Sequence, residues 1–292
     1  MNLDKNSLYS AMNHGILSER LNSFHRNLNL NIPMIRNFGG LAKVVPRLSG
    51  KKAVIIGAGP SLDGSLQDIK NISRNTDFVI IASDIALLPL CKSGIVPEFV
   101  ITCETTPRPF FREINTSAMT LLAFSCSSNS NLRQWKGDMM FYNWMIHTED
   151  YLPLWEKAGI ELGYAATASI VTTQAVSIAL GCGIKSLILC GNDLAFKDRF
   201  YTDNTINADN KFMSSDRLHP AESLNFINCW NNREYKILRN GIEYWTNSQF
   251  LTAKYWLEDL FPKCSVPVYD TSVPGCSSGG VISVNSSLMN RL

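Results

Sequence analysis

A run of small residues, Gly57-Ala58-Gly59-Pro60-Ser61, follows the apolar string KKAVII and precedes a helical pattern whose apolar face includes Leu66 and Ile69. Small side chains at a strand-to-helix turn let backbone approach a phosphate, and the N–H groups of a helix start favour an anion. Ser61 adds a hydroxyl. The same run also makes a tight turn with no ligand, and Leu62 stands where a dinucleotide fingerprint has its third glycine. Asp84 and Glu104 end two further apolar strings, FVIIASD and EFVITCE. A carboxylate so placed binds ribose hydroxyls, a base edge or a magnesium ion. It serves equally as a helix cap or a turn former, and Asp84 ahead of IALLPL fits a cap. Gly191-Asn192-Asp193 closes a fourth string, SLILCGND, and Asp193 has the same two readings. His219 follows a polar stretch and precedes Pro220, where a loop can deliver a base of near-neutral pKa to a bound substrate; a solvated imidazole is the plain alternative.

These residues act together only if the fold gathers them. Strings apolar at every position mark strands buried on both faces, as in a parallel sheet. Strand patterns at 78–84, 98–104, 119–126, 138–144 and 186–193 are interleaved with helical ones, which implies right-handed βαβ units. The predicted fold is α/β, a Rossmann-like, doubly wound, mostly parallel sheet. In such sheets ligands bind beyond the carboxyl ends of the strands, at the switch point of strand order. Thr167 and Ser169 join the set there, at the start of a helix predicted over 169–180 and stopped by Gly181. Residues 1–50 read as a short helical extension with a break at Gly39-Gly40, and 51–292 as one nucleotide-binding transferase domain. Residues 194–218 read as a long loop and 220–232 as a helix. Asn240-Gly241 signals a type I′ hairpin, inside a closing hairpin–helix unit at 235–272 with its helix at 248–261. The tail PGCSSGGVISV reads as loop.

Composition narrows the classes. With 27 basic and 25 acidic residues the net charge is +2, too small a field to mark a nucleic-acid binder. No apolar run approaches the ~20 residues of a spanning helix, and MNLDKNSLYSAMNHG lacks a signal-peptide core. Eight cysteines contain no CxxC pair, so the expectation is reduced core thiols in a cytoplasmic chain, with no structural zinc. Serine hydrolase, zincin and Walker NTPase motifs are missing from the sequence.

Taken as blocks, GAGPSLDGSLQDI, SDIALLPLCKSGIVPEFVITCE and TASIVTTQAVSIALGCGIKSLILCGNDLAF resemble one family over roughly residues 40–282, with NGIEYWTNSQF and VYDTSVPGCSSGG similar to its closing blocks. That family includes the motility-associated-factor glycosyltransferases, which modify flagellin, and the archaeal-type 6-hydroxymethylpterin diphosphokinases. A remoter likeness is to bacterial sialyltransferases that use CMP-activated sugars. It rests on Gly57–Leu62, on Ser169 with Ile178–Gly181, and on Gly191–Asp193. The likeness implies CMP over the sheet edge, no metal, a loop histidine as base (His219 by position) and a tyrosine on the leaving phosphate (Tyr201). Ala195 stands where a further tyrosine is expected.

Three readings follow. The first is a glycosyltransferase moving a nonulosonic, sialic-like sugar from a CMP carrier to Ser or Thr of a flagellin-like protein, without a tightly bound cofactor. Its catalytic set is His219, Asp193 and Tyr201, and its nucleotide-binding set is Gly57, Ala58, Gly59, Pro60, Ser61, Asp84, Glu104, Thr167, Ser169, Gly191 and Asn192. The second is an ATP-dependent 6-hydroxymethylpterin diphosphokinase with Mg2+ on Asp84, Glu104 and Asp193. The third is a nucleotide-binding assembly factor without catalysis.

Overall fold

The computed structural model describes residues 5–146, 148–206, 229–272 and 280–292. Its spine is a nine-stranded parallel sheet in the order β11-β10-β7-β1-β2-β3-β4-β5-β6. The strands are β1 (Lys52–Ile56), β2 (Phe78–Ser83), β3 (Phe99–Thr102), β4 (Thr120–Phe124), β5 (Asp138–Trp144), β6 (Tyr164–Ala165), β7 (Ser186–Cys190), β10 (Val268–Asp270) and β11 (Val281–Ser283). The antiparallel pair β8 (Tyr235–Arg239) and β9 (Ile242–Thr246) stands apart from it. Ala53 to Ile56 and Phe78 to Ala82 are buried throughout, as strands covered on both faces require. From β1 the chain winds outward through β2 to β6, then returns to lay β7 on the other side of β1. The order therefore reverses between β1 and β7, and the crevice of a doubly wound sheet opens at their carboxyl ends.

The helices are α1 (Lys5–Phe38), α2 (Val45–Leu48), α3 (Leu62–Ile72), α4 (Leu87–Lys92), α5 (Asn129–Leu132), α6 (Leu152–Ala158), α7 (Val171–Gly181) and α8 (Ser248–Leu260). The N-terminal helix is not short: α1 runs for 34 residues, and its Phe24, Leu28 and Ile35 belong to the same core as the sheet. Two asparagines fix it. Asn27 Nδ2 donates to the carbonyls of Thr105 (2.9 Å) and Cys126 (3.1 Å), and Asn31 Nδ2 to those of Ser125 (3.0 Å) and Ser127 (2.8 Å). Those carbonyls lie just past β3 and β4, so buried polar loops that a sheet cannot satisfy are satisfied by the helix.

Other expectations shift by a few residues. α7 begins at Val171, two residues after Ser169, and the left-handed residue after it is Gly183 (φ 73°) rather than Gly181. The tail read as loop contains β11, paired in parallel with β10. Only two residues long, β6 carries too little pattern to be predicted. The hairpin is as expected, with φ of 50° at Asn240 and 78° at Gly241, the signs a type I′ turn needs. Most of the helix expected at 220–232, and residues 207–218 of the expected loop, lie outside the described residues. Among the described residues, no helix is long and apolar enough to cross a membrane.

Candidate functional site

At the switch point the ends of β1 and β7 are laced to each other. The Gly57 amide donates to the Cys190 carbonyl (2.9 Å) and the Gly59 amide to that of Gly191 (2.8 Å). Asn192 Nδ2 donates back to the carbonyls of Ile55 (3.0 Å) and Cys190 (3.1 Å). Asp193 then reaches across to the start of α3. One carboxylate oxygen accepts from the Ser61 amide (2.9 Å) and the other from the Ser61 hydroxyl. The Gly59 and Ser61 amides, which the sequence offers to a phosphate, are thus committed within the chain. This lacing also explains the glycines: a Cβ on Gly59 would stand 2.7 Å from the Asp193 carboxylate and 2.8 Å from the Gly191 carbonyl.

Beside this junction lies a cleft of about 560 Å³, within the range of small-molecule sites. Of the residues nominated from sequence, Gly57, Ala58, Gly59, Asp84, Glu104, Thr167, Ser169, Gly191, Asn192, Asp193 and Tyr201 all line it, whereas Pro60 and Ser61 do not. His219 lies outside the described residues. Asp84 accepts from Thr102 Oγ1 (2.6 Å) and the Ile85 amide (2.8 Å); α4 starts only at Leu87 and takes no side-chain cap, so the capping reading does not hold while the cleft placement does. Glu104 accepts from the Thr106 amide (2.9 Å) and hydroxyl (2.8 Å), a turn-forming role at the rim.

Burial dominates the electrostatics. It pushes Asp84 up to about 6 against the pull of the Thr102 hydrogen bond, with Glu104 adding to the rise. It pushes Asp193 up to about 7, the Ser61 hydrogen bonds holding it back and Asp270 and Asp63 adding to it. Carboxyls poised near neutrality cluster at functional sites, and structural ion-pair networks produce them too. Each carboxylate oxygen of Asp84 and Asp193 accepts a hydrogen bond inside the chain, and among the described residues no three His, Cys, Asp or Glu side chains group to hold a metal.

The raised Asp193 value has a consequence for stability. Its folded pKa exceeds the unfolded one, so its neutral form stabilises the fold below about pH 4, and that contribution fades as pH rises to 7. Asp193→Asn keeps an acceptor for the Ser61 amide and removes the charge. Its Tm is expected to exceed that of the wild type by a few degrees at pH 8, the excess shrinking toward pH 4. An excess that grows on acidification would show Asp193 to be held ionised.

The matches to known proteins fit this arrangement. The family model described as 6-hydroxymethylpterin diphosphokinase MptE-like matches residues 26–199, more than half of the chain. The chain belongs to the MptE-like family. A search of curated proteins finds no match. Among solved structures, the MAf glycosyltransferase from Magnetospirillum magneticum AMB-1 is similar at 18% identity, with a TM-score of 0.58 over 82% of this chain and 34% of that one. At that identity the likeness is one of fold, and the chain spans about a third of that protein's length.

The MptE-like chain also brings to the cleft residues that sequence reading passed over. Gln174, on α7 and 1% exposed, accepts on Oε1 from Tyr142 Oη (2.5 Å) and Trp144 Nε1 (3.1 Å). With that oxygen fixed, its Nε2 donates to Thr167 Oγ1 (3.0 Å), which frees the Thr167 proton for a ligand. A long amide inside VTTQAVSIALG was the available signal. From the C-terminal side, Gln249 Nε2 donates to the Ser169 carbonyl (2.6 Å) and so holds Ser169 at φ 69°, a strained value for serine. Phe250 stacks on Phe200 at 5.1 Å, and both face the cleft. From the N-terminal side, α1 contributes Gly15, Glu19 and Arg20. The seven described cysteines are free thiols, and Cys276 lies outside the described residues.

Proposed function

We propose that this MptE-like chain is a glycosyltransferase that moves a nonulosonic, sialic-like sugar from a CMP carrier to a Ser or Thr hydroxyl of a protein such as flagellin. The observation that carries the reading is the cleft at the switch point, walled by small backbone turns, hydroxyls and near-neutral carboxyls. The Gly57–Gly59 face, Thr167 and Ser169 would seat the nucleotide and Asp84 a ribose hydroxyl. Asp193, neutral below about pH 7, would not repel the phosphate beside it. In the transfer, the acceptor oxygen bonds to the anomeric carbon as that carbon's bond to the phosphate oxygen breaks. CMP leaves with the electron pair, steadied by Tyr201, and the hydroxyl proton passes to a base, His219. The reading needs no resident cofactor.

Calorimetric titration with CMP and with ATP–magnesium tests it. CMP is expected to bind without metal, and ATP–magnesium to bind at least tenfold more weakly. The diphosphokinase reading, favoured by the family match, requires the reverse order and transfer of a diphosphate to a hydroxymethylpterin; that result would replace the proposal. Tight CMP binding with no transfer to any protein acceptor would leave a nucleotide-binding assembly factor.

A further inference from the structure

The buried positions of α1 define one face: Phe24, Asn27, Leu28, Asn31 and Ile35, at helical spacing, are each no more than 4% exposed. Continued one turn toward the N-terminus, that face reaches positions 20 and 21. Leu21 still packs on the core, whereas Arg20 beside it is exposed. The reason is geometric. Here the helix borders the cleft as well as the core, so that Gly15, Glu19 and Arg20 form part of the cleft wall. Arg20 stands near the end of β3: burial pushes the Cys103 thiol there up to about 12, and the Arg20 charge is close enough to pull against it.

The remaining lining residues sharpen the point. Of the described residues around the cleft, Arg20 alone carries a fixed positive charge, beside four carboxyl groups, Glu19, Asp84, Glu104 and Asp193. A site for an anionic ligand needs a cation or open amides, and the Gly59 and Ser61 amides are committed within the chain. Arg20 also precedes the stretch matched by the family model. We propose that Arg20 is the anion-binding residue of this cleft, and that its guanidinium fork takes two oxygens of one anionic group, either the phosphate of the donor nucleotide or the carboxylate of an acidic sugar. A planar five-donor fork matches both groups in a way a lysine would not. The proposal rests on the nucleotide-sugar reading and deepens it.

The test is calorimetry of wild type, Arg20→Gln and Arg20→Lys with three probes: cytidine, CMP and CMP-linked sialic acid. Arg20 is exposed, so both variants are expected to keep the wild-type Tm. Losing a charge-assisted fork weakens binding by roughly 10–100-fold. That loss in Arg20→Gln for CMP and the CMP-sugar alike, with cytidine unchanged, assigns the fork to the phosphate. Loss for the CMP-sugar only assigns it to the carboxylate. Arg20→Lys should recover only part of the affinity in either case. Equal affinities of wild type and Arg20→Gln for all three probes would overturn the role of Arg20 while leaving the nucleotide reading intact. A wild-type protein that binds none of the probes would overturn that reading and this proposal with it.

Discussion

Gly57→Ala will unfold at a Tm about 6–12 °C below that of the wild type, corresponding to about 3 kcal/mol, the upper end of what overpacking costs. The backbone at Gly57 does not take a positive φ, so conformational freedom is not the reason for glycine there. The reason is approach: a Cβ would collide with the Gly191 carbonyl, a backbone atom that cannot swing aside. Any relief must pull β1 and β7 apart where the Gly57 and Gly59 amides hold them together. Gly64, inside α3 with nothing near its missing Cβ, is the matched control. Gly64→Ala is expected to raise stability by up to about 1 kcal/mol through helix propensity. Thermal melts of the two variants decide the matter. A Gly57→Ala protein with an unchanged Tm and lost nucleotide binding would mean that the glycine is kept for a ligand and not for packing.

Under the proposed reaction, His219→Ala will slow transfer by roughly 10²–10⁴-fold, the usual effect of losing a general base, while CMP affinity stays within about threefold of wild type. Steady-state transfer rates and calorimetric affinities for His219→Ala, Asp84→Asn and Asp193→Asn, measured side by side, separate the readings. A diphosphokinase working through magnesium would be hurt most in the two aspartate variants and would run at full rate without His219. That pattern would reverse the choice made here.

β1, β2 and β7 are legible because each is a run of apolar residues almost unbroken by polar ones, whereas the two-residue β6 and the short β11 carry no such run. The carboxyl-edge turns of the first three follow from topology, which is why Gly57, Asp84 and Asp193 are expected together and share one cleft. What stayed hidden was what those groups do to one another. No local pattern says that the Asp193 carboxylate spans to Ser61, since the two are 132 residues apart in the chain. Nor could the residues before Ser49 be read as a wall. The Asn27 and Asn31 side chains look solvent-facing until the carbonyls they satisfy are seen. Arg20 looks ordinary until the face it continues is known to be buried.

The cleft draws its walls from both ends of the chain: α1 supplies residues 15–20 and α8 supplies Gln249 and Phe250, and the two helices pack against each other. On a ribosome this sets an order of events. At about 5–20 residues per second, tens of seconds separate the emergence of Arg20 from that of Phe250. For that interval the nascent chain can build β1 through β7 and join the Gly57 and Gly191 turns, yet its ligand site stands open on one side. Until α8 is made, a ligand in the cleft meets its floor and its α1 wall but not Gln249 and Phe250.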